Sequence, residues 1–440
     1  MSKHFNRRKF LQQSSMGILG AGVIGNSKKM TFPEEGKDNG KPIIQEYRTL
    51  GKTGFKVSDI SSGTPQNPEV LKELLKSGVN LIDTGEIYQN GNNERMIGEV
   101  LPEFDRSKLF INTKLYEKES FKSKEEVIER TNKCLERLGT DYVDCMMIHS
   151  VENSRIITDE AFHAGMKQLK KEGKVRYVGV SCHGNNHIDS PEENLEKILM
   201  TAVDDGRFDV ILLAYNFVNA GLAEKVLDAC AEKNIGTIIM KSNPVQIYQM
   251  LDARMQQTKE AGKEPNEYVQ KFFDKYQKMN INAKSFFEQY GVVGDEEMME
   301  AATKFVLNNP KAHTIIWAFY NFNDVKSVLP LSGQKLTKDE AFTLDNYHQS
   351  FGSLSCRIGC NDCEAACPHG VAISAMMRFN YYYEIKRQQK YAMTRYAALS
   401  GKKPNEVCTD CPGYCEEACT FGVKTQTVLA GVHWNLELPA

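Results

Sequence analysis

The feature that most constrains this chain is an alternation of short apolar, β-prone runs with amphipathic helical stretches from Tyr47 to about Leu331. Such an alternation predicts a parallel sheet covered by helices. The predicted strands lie near residues 57–62, 79–84, 109–114, 142–149, 175–181, 210–215, 237–241 and 314–318. Eight units of this kind predict an α/β fold, a (β/α)8 TIM barrel, whose chemistry lies at the carboxyl ends of its strands.

Several of these runs end in a polar side chain. The run that begins at residue 80 ends in Asp83, and Tyr88 follows one loop turn later; later runs end in Lys114, His149 and Ser181. Because the carboxyl ends of parallel strands meet at one mouth, we expect these side chains to converge. Taken singly each has an ordinary explanation: a helix cap for Asp83, solvation for Lys114, surface packing for Tyr88. Their combination is the informative signal.

Length and charge narrow the class of protein further. At 440 residues the chain is long enough for one large α/β core and an appended module. The net charge of -2 favours neither nucleic acid nor an anionic membrane as a partner. Residues 336–440 form the candidate appended module.

Residues 1–30 have the form of an export signal. Arg7 and Arg8 precede a short, Gly-rich apolar run that is too short to span a bilayer as a helix. The paired arginines resemble a twin-arginine signal, an address read by the export machinery, and imply a periplasmic protein. Because no clean Ala-x-Ala cleavage site follows, an anchored form is the alternative. Residues 31–46 are predicted to be a linker.

A series of motifs runs in order along most of residues 47–240. It consists of Thr49-Leu50-Gly51-Lys52-Thr53-Gly54-Phe55-Lys56-Val57-Ser58, Asp83 with Tyr88, Asn93-Glu94-Arg95-Met96-Ile97-Gly98, Thr113-Lys114, Arg137-Leu138-Gly139-Thr140-Asp141-Tyr142-Val143-Asp144 ending in His149, and Gly173-Lys174-Val175-Arg176-Tyr177-Val178-Gly179-Val180-Ser181. This series resembles the aldo/keto reductases, with residues 47–335 as the barrel. The resemblance implies hydride transfer between NADP or NAD and a carbonyl or alcohol, with sugars among the candidate substrates.

The resemblance also implies a catalytic tetrad of Asp83, Tyr88, Lys114 and His149. Tyr88 matches the general acid or base. The pKa of a free phenol is about 10, so ionising it at neutral pH costs about 4 kcal/mol. The ammonium of Lys114 would favour the phenolate, and Asp83 would hold that lysine. His149 would donate a hydrogen bond to the substrate oxygen as charge develops.

The expected cofactor contacts depart from the family pattern. Ser181 matches the residue that meets the nicotinamide carboxamide, but Leu212 stands where the family has Gln and Ala318 where it has Gly. Lys241 and Asn321 are the other candidate contacts, with a purely structural role as the alternative for each. The dinucleotide site is therefore the part of the resemblance that the residues support least.

Eight of the twelve cysteines are crowded near the C-terminus in two runs that flank a helix-prone stretch, residues 373–399. The runs are Cys356-x3-Cys360-x2-Cys363-x3-Cys367-Pro368 and Cys408-x2-Cys411-x3-Cys415-x3-Cys419. They resemble bacterial ferredoxins, with one extra residue in each run, and such modules fused to this barrel form a branch of the family. Residues 336–440 are thus predicted to be a small α-helical ferredoxin-like domain with one or two [4Fe-4S] clusters.

The ferredoxin resemblance also implies how the cysteines would be shared. If ligation crosses as in two-cluster ferredoxins, Cys419 joins the first three cysteines of the first run and Cys367 joins the first three of the second. Two four-cysteine zinc sites or, in an exported protein, four disulfides are the alternatives. The other four cysteines lie in helix-like or strand-like runs and are predicted to be buried, inert thiols: Cys134, Cys145, Cys182 and Cys230.

Residues 243–294 are a charged, aromatic-rich, helix-prone insertion after the seventh strand. A lid over the active-site face is one interpretation and a helical pair on the outside of the barrel is the other. The next amphipathic helix is predicted to begin at Asp295.

Two other functions fit the sequence. One is an iron-sulfur electron-transfer or structural protein that keeps the barrel without reductase activity, which Leu212 and Ala318 favour. The other is a carbohydrate-binding protein whose insertion aromatics stack on sugars: Tyr248, Phe272, Phe273 and Tyr276. The expected partners are a small carbonyl or sugar substrate, a redox partner and the twin-arginine export machinery.

Overall fold

The computed structural model of the chain describes residues 43–184, 193–243, 266–275, 277–278, 295–384, 386 and 388–437. The predicted export signal lies outside these residues, as do most of the predicted linker and most of the insertion. The described residues all belong to one compact unit, Pro42–Ala440. None of the helices in this part of the chain is both long and apolar enough to cross a bilayer.

A closed barrel of parallel strands forms the centre of the molecule. A short antiparallel hairpin, β1 (Tyr47–Thr49) and β2 (Lys56–Ser58), precedes it. The barrel strands are β3 (Ile60–Gly63), β4 (Leu81–Asp83), β5 (Phe110–Tyr116), β6 (Val143–His149), β7 (Val175–Cys182), β8 (Val210–Ala214), β9 (Gly236–Met240) and β10 (Thr314–Trp317). Neighbours in sequence are neighbours in the barrel, and β10 closes it against β3. The predicted (β/α)8 barrel is confirmed.

Helices follow the strands and cover the barrel. The α-helices with defined bounds are Pro68–Lys76, Asn92–Val100, Lys124–Leu138, Glu160–Lys171, Leu195–Asp205, Ala220–Glu232, Asp295–Leu307, Phe322–Val328, Lys338–Phe351, Ile373–Glu384, Gln389–Ala397, Pro404–Val407, Tyr414–Glu417 and Thr425–Leu436. Residues 267–275 and 277–278 of the insertion are also helical. Short 3-10 turns span Gly51–Thr53, Tyr88–Gly91, Leu101–Glu103, Arg106–Lys108, Ser154–Thr158, Leu329–Leu331 and Gly352–Leu354. The helix predicted at Asp295 begins there.

The first predicted strand, residues 57–62, is wrong as a single element. Its first half is the end of β2 and its second half is β3, which belongs to the barrel. Asp59 separates them because its carboxylate accepts hydrogen bonds from Ser332 Oγ (2.6 Å) and the Gly333 N–H (2.8 Å). These hydrogen bonds hold the chain in place at Asp59, where it passes from the two-stranded sheet into the barrel.

The described apolar residues form two clusters. The first is the barrel core, from Ile44 to Leu331. The second joins the helices after residue 338 to barrel-side residues such as Phe217 and Met298. The C-terminal segment therefore packs directly on the barrel.

Aromatic residues of the insertion belong to the second cluster. Phe272 and Phe273 are only 4% and 9% exposed and pack there. They are buried rather than available to stack on a sugar, which corrects the carbohydrate-binding interpretation for these two residues. Tyr248 and Tyr276 lie outside the described residues.

Helix-prone residues 373–399 form two helices, Ile373–Glu384 and Gln389–Ala397. Between them the Lys386 N–H bonds to the Tyr381 carbonyl and the Gln388 N–H to the Tyr382 carbonyl, at 3.3 and 3.0 Å. These bonds end the first helix and turn the chain.

The four scattered cysteines are fully buried, as predicted. Their exposures are 0%: Cys134, Cys145, Cys182 and Cys230. Burial raises the pKa of Cys182 and Cys230 to about 12. Their thiols are thus protonated and unreactive at neutral pH.

Candidate active site

Four polar side chains meet at the carboxyl ends of neighbouring strands. Asp83 ends β4, Lys114 lies in β5 and His149 ends β6, while Tyr88 begins the turn after β4. Lys114 Nζ lies 2.6 Å from Asp83 Oδ1. Tyr88 Oη lies 3.1 Å from His149 Nε2, and Lys114 Nζ is 5.2 Å from the centre of the Tyr88 ring. The structure thus brings together all four predicted tetrad residues.

The buried ion pair is held by further hydrogen bonds. Asp83 and Lys114 are each 1% exposed. Asn112 Nδ2 donates to Asp83 Oδ1 at 2.5 Å, and Lys114 Nζ donates to the Thr84 carbonyl at 2.6 Å. Because a buried pair needs such additional partners, the lysine is fixed beneath the Tyr88 ring.

The motif at Asn93-Glu94 supports these strand ends rather than entering the site. Asn93 Oδ1 accepts from Thr84 Oγ1 at 2.7 Å. Glu94, which is fully buried, pairs with Arg137 at 2.6 Å and accepts from Thr113 Oγ1 at 2.6 Å. These bonds fix the residues that flank Asp83 and Lys114.

The electrostatics of Tyr88 differ from the sequence-based expectation. Burial, followed by the charge of Asp83, raises the pKa of Tyr88 well above its usual value. Burial of the phenol outweighs the phenolate-favouring effect expected of Lys114, whose ammonium is paired with Asp83. Tyr88 is therefore a protonated phenol at neutral pH.

His149 and Lys114 are shifted towards their neutral forms. Burial, with the charges of Lys114 and Arg378, holds the pKa of His149 well below its usual range. Burial also lowers the pKa of Lys114, against the opposing effect of Asp83. The site therefore presents a phenol O–H beside a neutral imidazole, an arrangement suited to giving a proton to a substrate oxygen.

A helix from the C-terminal segment also reaches this mouth, which sequence reasoning missed. Arg378 of helix Ile373–Glu384 pairs with Glu152 at 3.2 Å, and neither side chain is more than 6% exposed. The Tyr382 ring lies 6.4 Å from that of His183, which follows β7. No local pattern marks the Arg378–Glu152 contact, because its two residues are 226 positions apart in the chain.

Two of the predicted cofactor contacts are engaged within the protein. Ser181 is 1% exposed, and its Oγ accepts from the Ser150 N–H at 2.8 Å. Asn321 caps helix Phe322–Val328, and its side chain accepts from the N–H groups of Asn323 and Asp324 at 2.8 and 3.1 Å. Asn321 thus serves as a helix cap.

Lys241, the third candidate, lines a cavity of about 240 Å³ between the ends of β9 and β10. Ala318 and Tyr320 form part of the same wall, and Tyr381 and Lys386 of the C-terminal segment close it. Leu212, where the family pattern has Gln, is buried in β8 opposite Ser181.

The second halves of the two cysteine runs have the same local structure. Cys367 Sγ accepts from the Val371 N–H at 3.5 Å, and Cys419 Sγ accepts from the Val423 N–H at 3.3 Å. The acid after the third cysteine of each run likewise bonds to the first turn of the following helix: Glu364 to the Ser374 N–H at 2.7 Å and Glu416 to the Gln426 N–H at 3.1 Å. The runs are structural repeats.

The thiols are grouped across the two runs. Burial raises the pKa of Cys356 to about 12, and the neighbouring thiol of Cys419 adds to the rise. Burial likewise raises the pKa of Cys408 to about 12, with contributions from Cys415, Cys367 and Cys411. The last cysteine of each run therefore lies near the first cysteine of the other run.

All twelve cysteines are described and all are free thiols, so the disulfide alternative is wrong for this structure. Among the described residues, no three His, Cys, Asp or Glu side chains are arranged to hold a single metal ion. The zinc alternative needs four ligands within about 2.3 Å of one ion, and the described side chains do not form such a group.

The first cysteine run is docked on the loop after β7. The Leu195 N–H donates to the Gly359 carbonyl at 2.9 Å. A Cβ on Gly184 would lie 2.3 Å from Gly359 Cα, so the two backbones touch. Cys356 also lines a small cavity of about 30 Å³ that it shares with Asn216 of the barrel mouth. The first run is thus adjacent to the candidate site.

Comparisons with known proteins agree with this fold. Residues 49–348 match the model of the aldo/keto reductase family. An uncharacterised oxidoreductase of Bacillus subtilis is 25% identical over 318 residues, 68% of this chain and 95% of that protein. L-galactose dehydrogenase of Arabidopsis thaliana is 30% identical over 212 residues, and NADH-specific methylglyoxal reductase of Escherichia coli 26% over 229. These two matches cover 44% and 46% of this chain and 64% of each relative.

Proposed function

Since the chain belongs to the aldo/keto reductase family, we propose that it is a nicotinamide-dependent oxidoreductase acting on a small carbonyl or alcohol, with sugars among its candidate substrates. The observation that carries this proposal is the convergence of Asp83, Tyr88, Lys114 and His149, with Tyr88 Oη 3.1 Å from His149 Nε2. The retained tetrad favours an active reductase over an inactive barrel.

Each of the four residues has a separate role in the proposed proton transfer at the substrate oxygen. The bound nicotinamide supplies or accepts a hydride at the substrate carbon. Tyr88 gives the matching proton to the oxygen in reduction and takes it back in oxidation, and its raised pKa keeps it protonated for reduction. His149 stands beside the phenol and donates to the oxygen as charge develops. Asp83 holds Lys114 against the Tyr88 ring, where its charge stabilises the phenolate once the proton has left.

The cavity at Lys241 is the proposed place for the dinucleotide. It opens between β9 and β10 at the same mouth as the tetrad. At its β10 end, Asp324 accepts from the N–H groups of Tyr320 and Asn321, at 2.7 and 3.2 Å. A carboxylate already bound at a helix N-terminus disfavours a further phosphate there, which supports NAD over NADP.

We extend the proposal to the eight C-terminal cysteines, which would hold two [4Fe-4S] clusters. The repeat of local structure and the crossed neighbours support Cys356, Cys360, Cys363 and Cys419 for one cluster. The same features support Cys367, Cys408, Cys411 and Cys415 for the other. Export to the periplasm by the twin-arginine route, with a redox partner there and an anchored form as the alternative, completes the proposal and rests on the N-terminal sequence.

The test of the proposed activity is nucleotide binding by protein purified without oxygen. We expect bound nicotinamide nucleotide or tight titration with NADH, weaker titration with NADPH, and NADH oxidation by members of a panel of small aldehydes and sugars. Methylglyoxal belongs in the panel, and L-galactose with NAD belongs in a matching assay of oxidation, because two relatives are named for them. Intact protein that binds neither nucleotide would refute the proposal.

A further inference from the structure

A helix of the insertion, residues 267–275, lies on the second cysteine run, and we call it the insertion helix. Lys271 Nζ donates to the Thr409 carbonyl, and Lys275 Nζ lies 3.4 Å from Glu416 Oε2. Thr409 and Glu416 each directly follow a cysteine of that run. Because the two lysines are one helical turn apart, they hold one face of the insertion helix on both halves of the run.

The buried side of the insertion helix is apolar except for one hydroxyl group. Tyr268 and Phe272 are 3% and 4% exposed, and the centres of their rings lie 5.3 Å apart. Phe272 also borders a cavity of only about 10 Å³ that it shares with the last helix, Thr425–Leu436. The two helices are therefore closely packed, and the insertion helix covers this side of the cysteine segment.

The hydroxyl of Tyr268 is buried without a hydrogen-bond partner among the described residues. The Tyr268 ring packs edge-on against the His433 ring, with centres 5.8 Å apart. His433 is not the acceptor, because its Nδ1 lies 2.5 Å from Tyr396 Oη and its Nε2 lies 3.2 Å from Glu437 Oε2. A buried hydroxyl without an acceptor costs free energy, so it indicates a partner that the protein atoms alone do not supply.

The groups nearest in effect to this hydroxyl include two thiols of the second cysteine run. Burial, followed by Cys408, Tyr396 and Cys415, raises the pKa of Tyr268. The hydroxyl is therefore protonated at neutral pH and can donate. A protonated thiol is a weak acceptor, whereas a cysteine thiolate or an inorganic sulfide is a charged and stronger one.

The first cysteine run is covered by a different element. It meets the loop after β7, where the Leu195 N–H donates to the Gly359 carbonyl and Gly184 touches Gly359. The contacts of the insertion helix thus belong to the second run. An effect of Tyr268 should therefore distinguish the two groups of cysteines.

We propose that the Tyr268 hydroxyl donates a hydrogen bond to a sulfur of the second group of cysteines when that group holds its cluster: Cys367, Cys408, Cys411 and Cys415. The inference rests on the proposed function for the presence of the clusters, and it adds to one of them a residue that lies outside the cysteine runs. A hydrogen bond to a cluster sulfur stabilises the negative charge that reduction adds, and so raises the reduction potential. Tyr268 therefore makes the second cluster easier to reduce.

The test is a redox titration, followed by EPR, of the full chain purified without oxygen. Tyr268→Phe removes the hydroxyl and keeps the ring. We expect reduction of the second cluster to become about tenfold less favourable, a fall of about 59 mV for one electron, while the first cluster keeps its potential. Cys408→Ser, which should lose the second cluster, identifies its signal. Tyr414→Phe is the matched control and should change neither potential, because Tyr414 precedes Cys415 but is 47% exposed.

Lys271→Gln is a second variant that leaves the buried ring untouched. The Lys271 side chain is 53% exposed, and its Nζ holds the insertion helix on the run. Loss of this bond and of the positive charge should lower the potential of the second cluster to a smaller degree, with the iron content unchanged. If Tyr268→Phe loses only the second cluster, a fall of that potential in Lys271→Gln supports the inference, and an unchanged potential overturns it.

The outcomes separate this inference from the proposed function. Unchanged potentials in Tyr268→Phe, with about eight irons per chain retained, would overturn the inference alone. An equal fall for both clusters would also overturn it, because the insertion helix contacts only the second run. Wild-type protein without iron would refute the proposed clusters and this inference with them, while nucleotide binding would still decide the reductase activity.

Discussion

Tyr88 is the residue on which the proposed chemistry depends. Its hydroxyl is the only tetrad O–H donor beside His149, so Tyr88→Phe should lower kcat by about 10²- to 10⁴-fold. The Kd for NADH and the unfolding midpoint should stay at wild-type values, because the ring still packs. Steady-state kinetics and an NADH titration measure both effects. Tyr142→Phe, at the opposite end of the barrel, is the control, and near-normal turnover by Tyr88→Phe would remove the tetrad from the account.

The pKa shifts give a pH dependence with a definite sign. Because burial and Asp83 raise the pKa of Tyr88, the proton donor for reduction is present across the neutral and moderately alkaline range. The pKa of His149 is lowered, so it stays neutral there as well. We expect kcat/KM for reduction to be flat from about pH 7 to pH 9, and the rate of alcohol oxidation to rise with pH. A loss of reductase activity between these values, in a pH profile of the wild-type protein, would contradict the assigned protonation states.

Individual residues of the candidate site could be predicted from the sequence where a local pattern marks them. Tyr88, Lys114 and His149 each stand at or near the end of an apolar run, and a parallel barrel brings such ends together. Arg378 and Lys386 could not be identified, because they reach the mouth through packing between distant segments. The pKa of Tyr88 was expected in the wrong direction because the burial of this loop side chain, unlike that of a residue within an apolar run, cannot be inferred from the order of residues.

At the scale of elements, the prediction of strands depended on buried apolar runs and was least reliable at polar interruptions. Asp59 turned one predicted strand into two, since its carboxylate bonds to Ser332 and Gly333, which lie far away in sequence. Helix ends with local caps were predictable: Ser123 Oγ accepts from the Glu126 N–H at 3.2 Å, and Gly139 closes the helix with φ 60°.

The contact between the loop after β7 and the first cysteine run makes a stability prediction. Gly184 has φ 86°, and a Cβ there would meet Gly359 Cα at 2.3 Å. Gly184→Ala should therefore lower the free energy of unfolding by about 2–4 kcal/mol, measured by urea denaturation. Gly221→Ala is the matched control, since a Cβ at that helical glycine meets nothing within 4 Å. Equal stability of the two variants would show that this contact is not a tight one.

At the scale of the whole molecule, the crossed grouping of thiols predicts which cysteines act together. Protein purified without oxygen should contain about eight irons and as many sulfides per chain if both clusters are present. Cys356→Ser and Cys419→Ser should lose the same cluster by EPR and iron content, and Cys367→Ser and Cys408→Ser the other. Zinc in place of iron would contradict the assignment. So would the loss of one cluster in the variants of the first cysteine run and of the other cluster in the variants of the second run.

The spacing of the cysteines predicts a ferredoxin-like module, whereas the packing of the C-terminal helices against the barrel is known only from the structure. Two hydrophobic clusters meet there, and helix Ile373–Glu384 brings Arg378 beside Glu152 at the mouth. The periodicity of apolar residues predicts helices and strands but not which of them pack together. The apolar residues at this contact have the same pattern as the buried face of any helix.

The central claim is direct hydride transfer at the Tyr88 site, and a labelled single turnover tests it most directly. Wild-type protein with intact clusters is mixed with NADH deuterated at the transferred position and with a carbonyl substrate found in the panel. We predict that the deuterium appears on the carbon of the product alcohol and that Tyr88→Phe suppresses its appearance. Product alcohol that carries only hydrogen from the solvent would contradict the account, because the electrons would then have passed through another group before reaching the substrate.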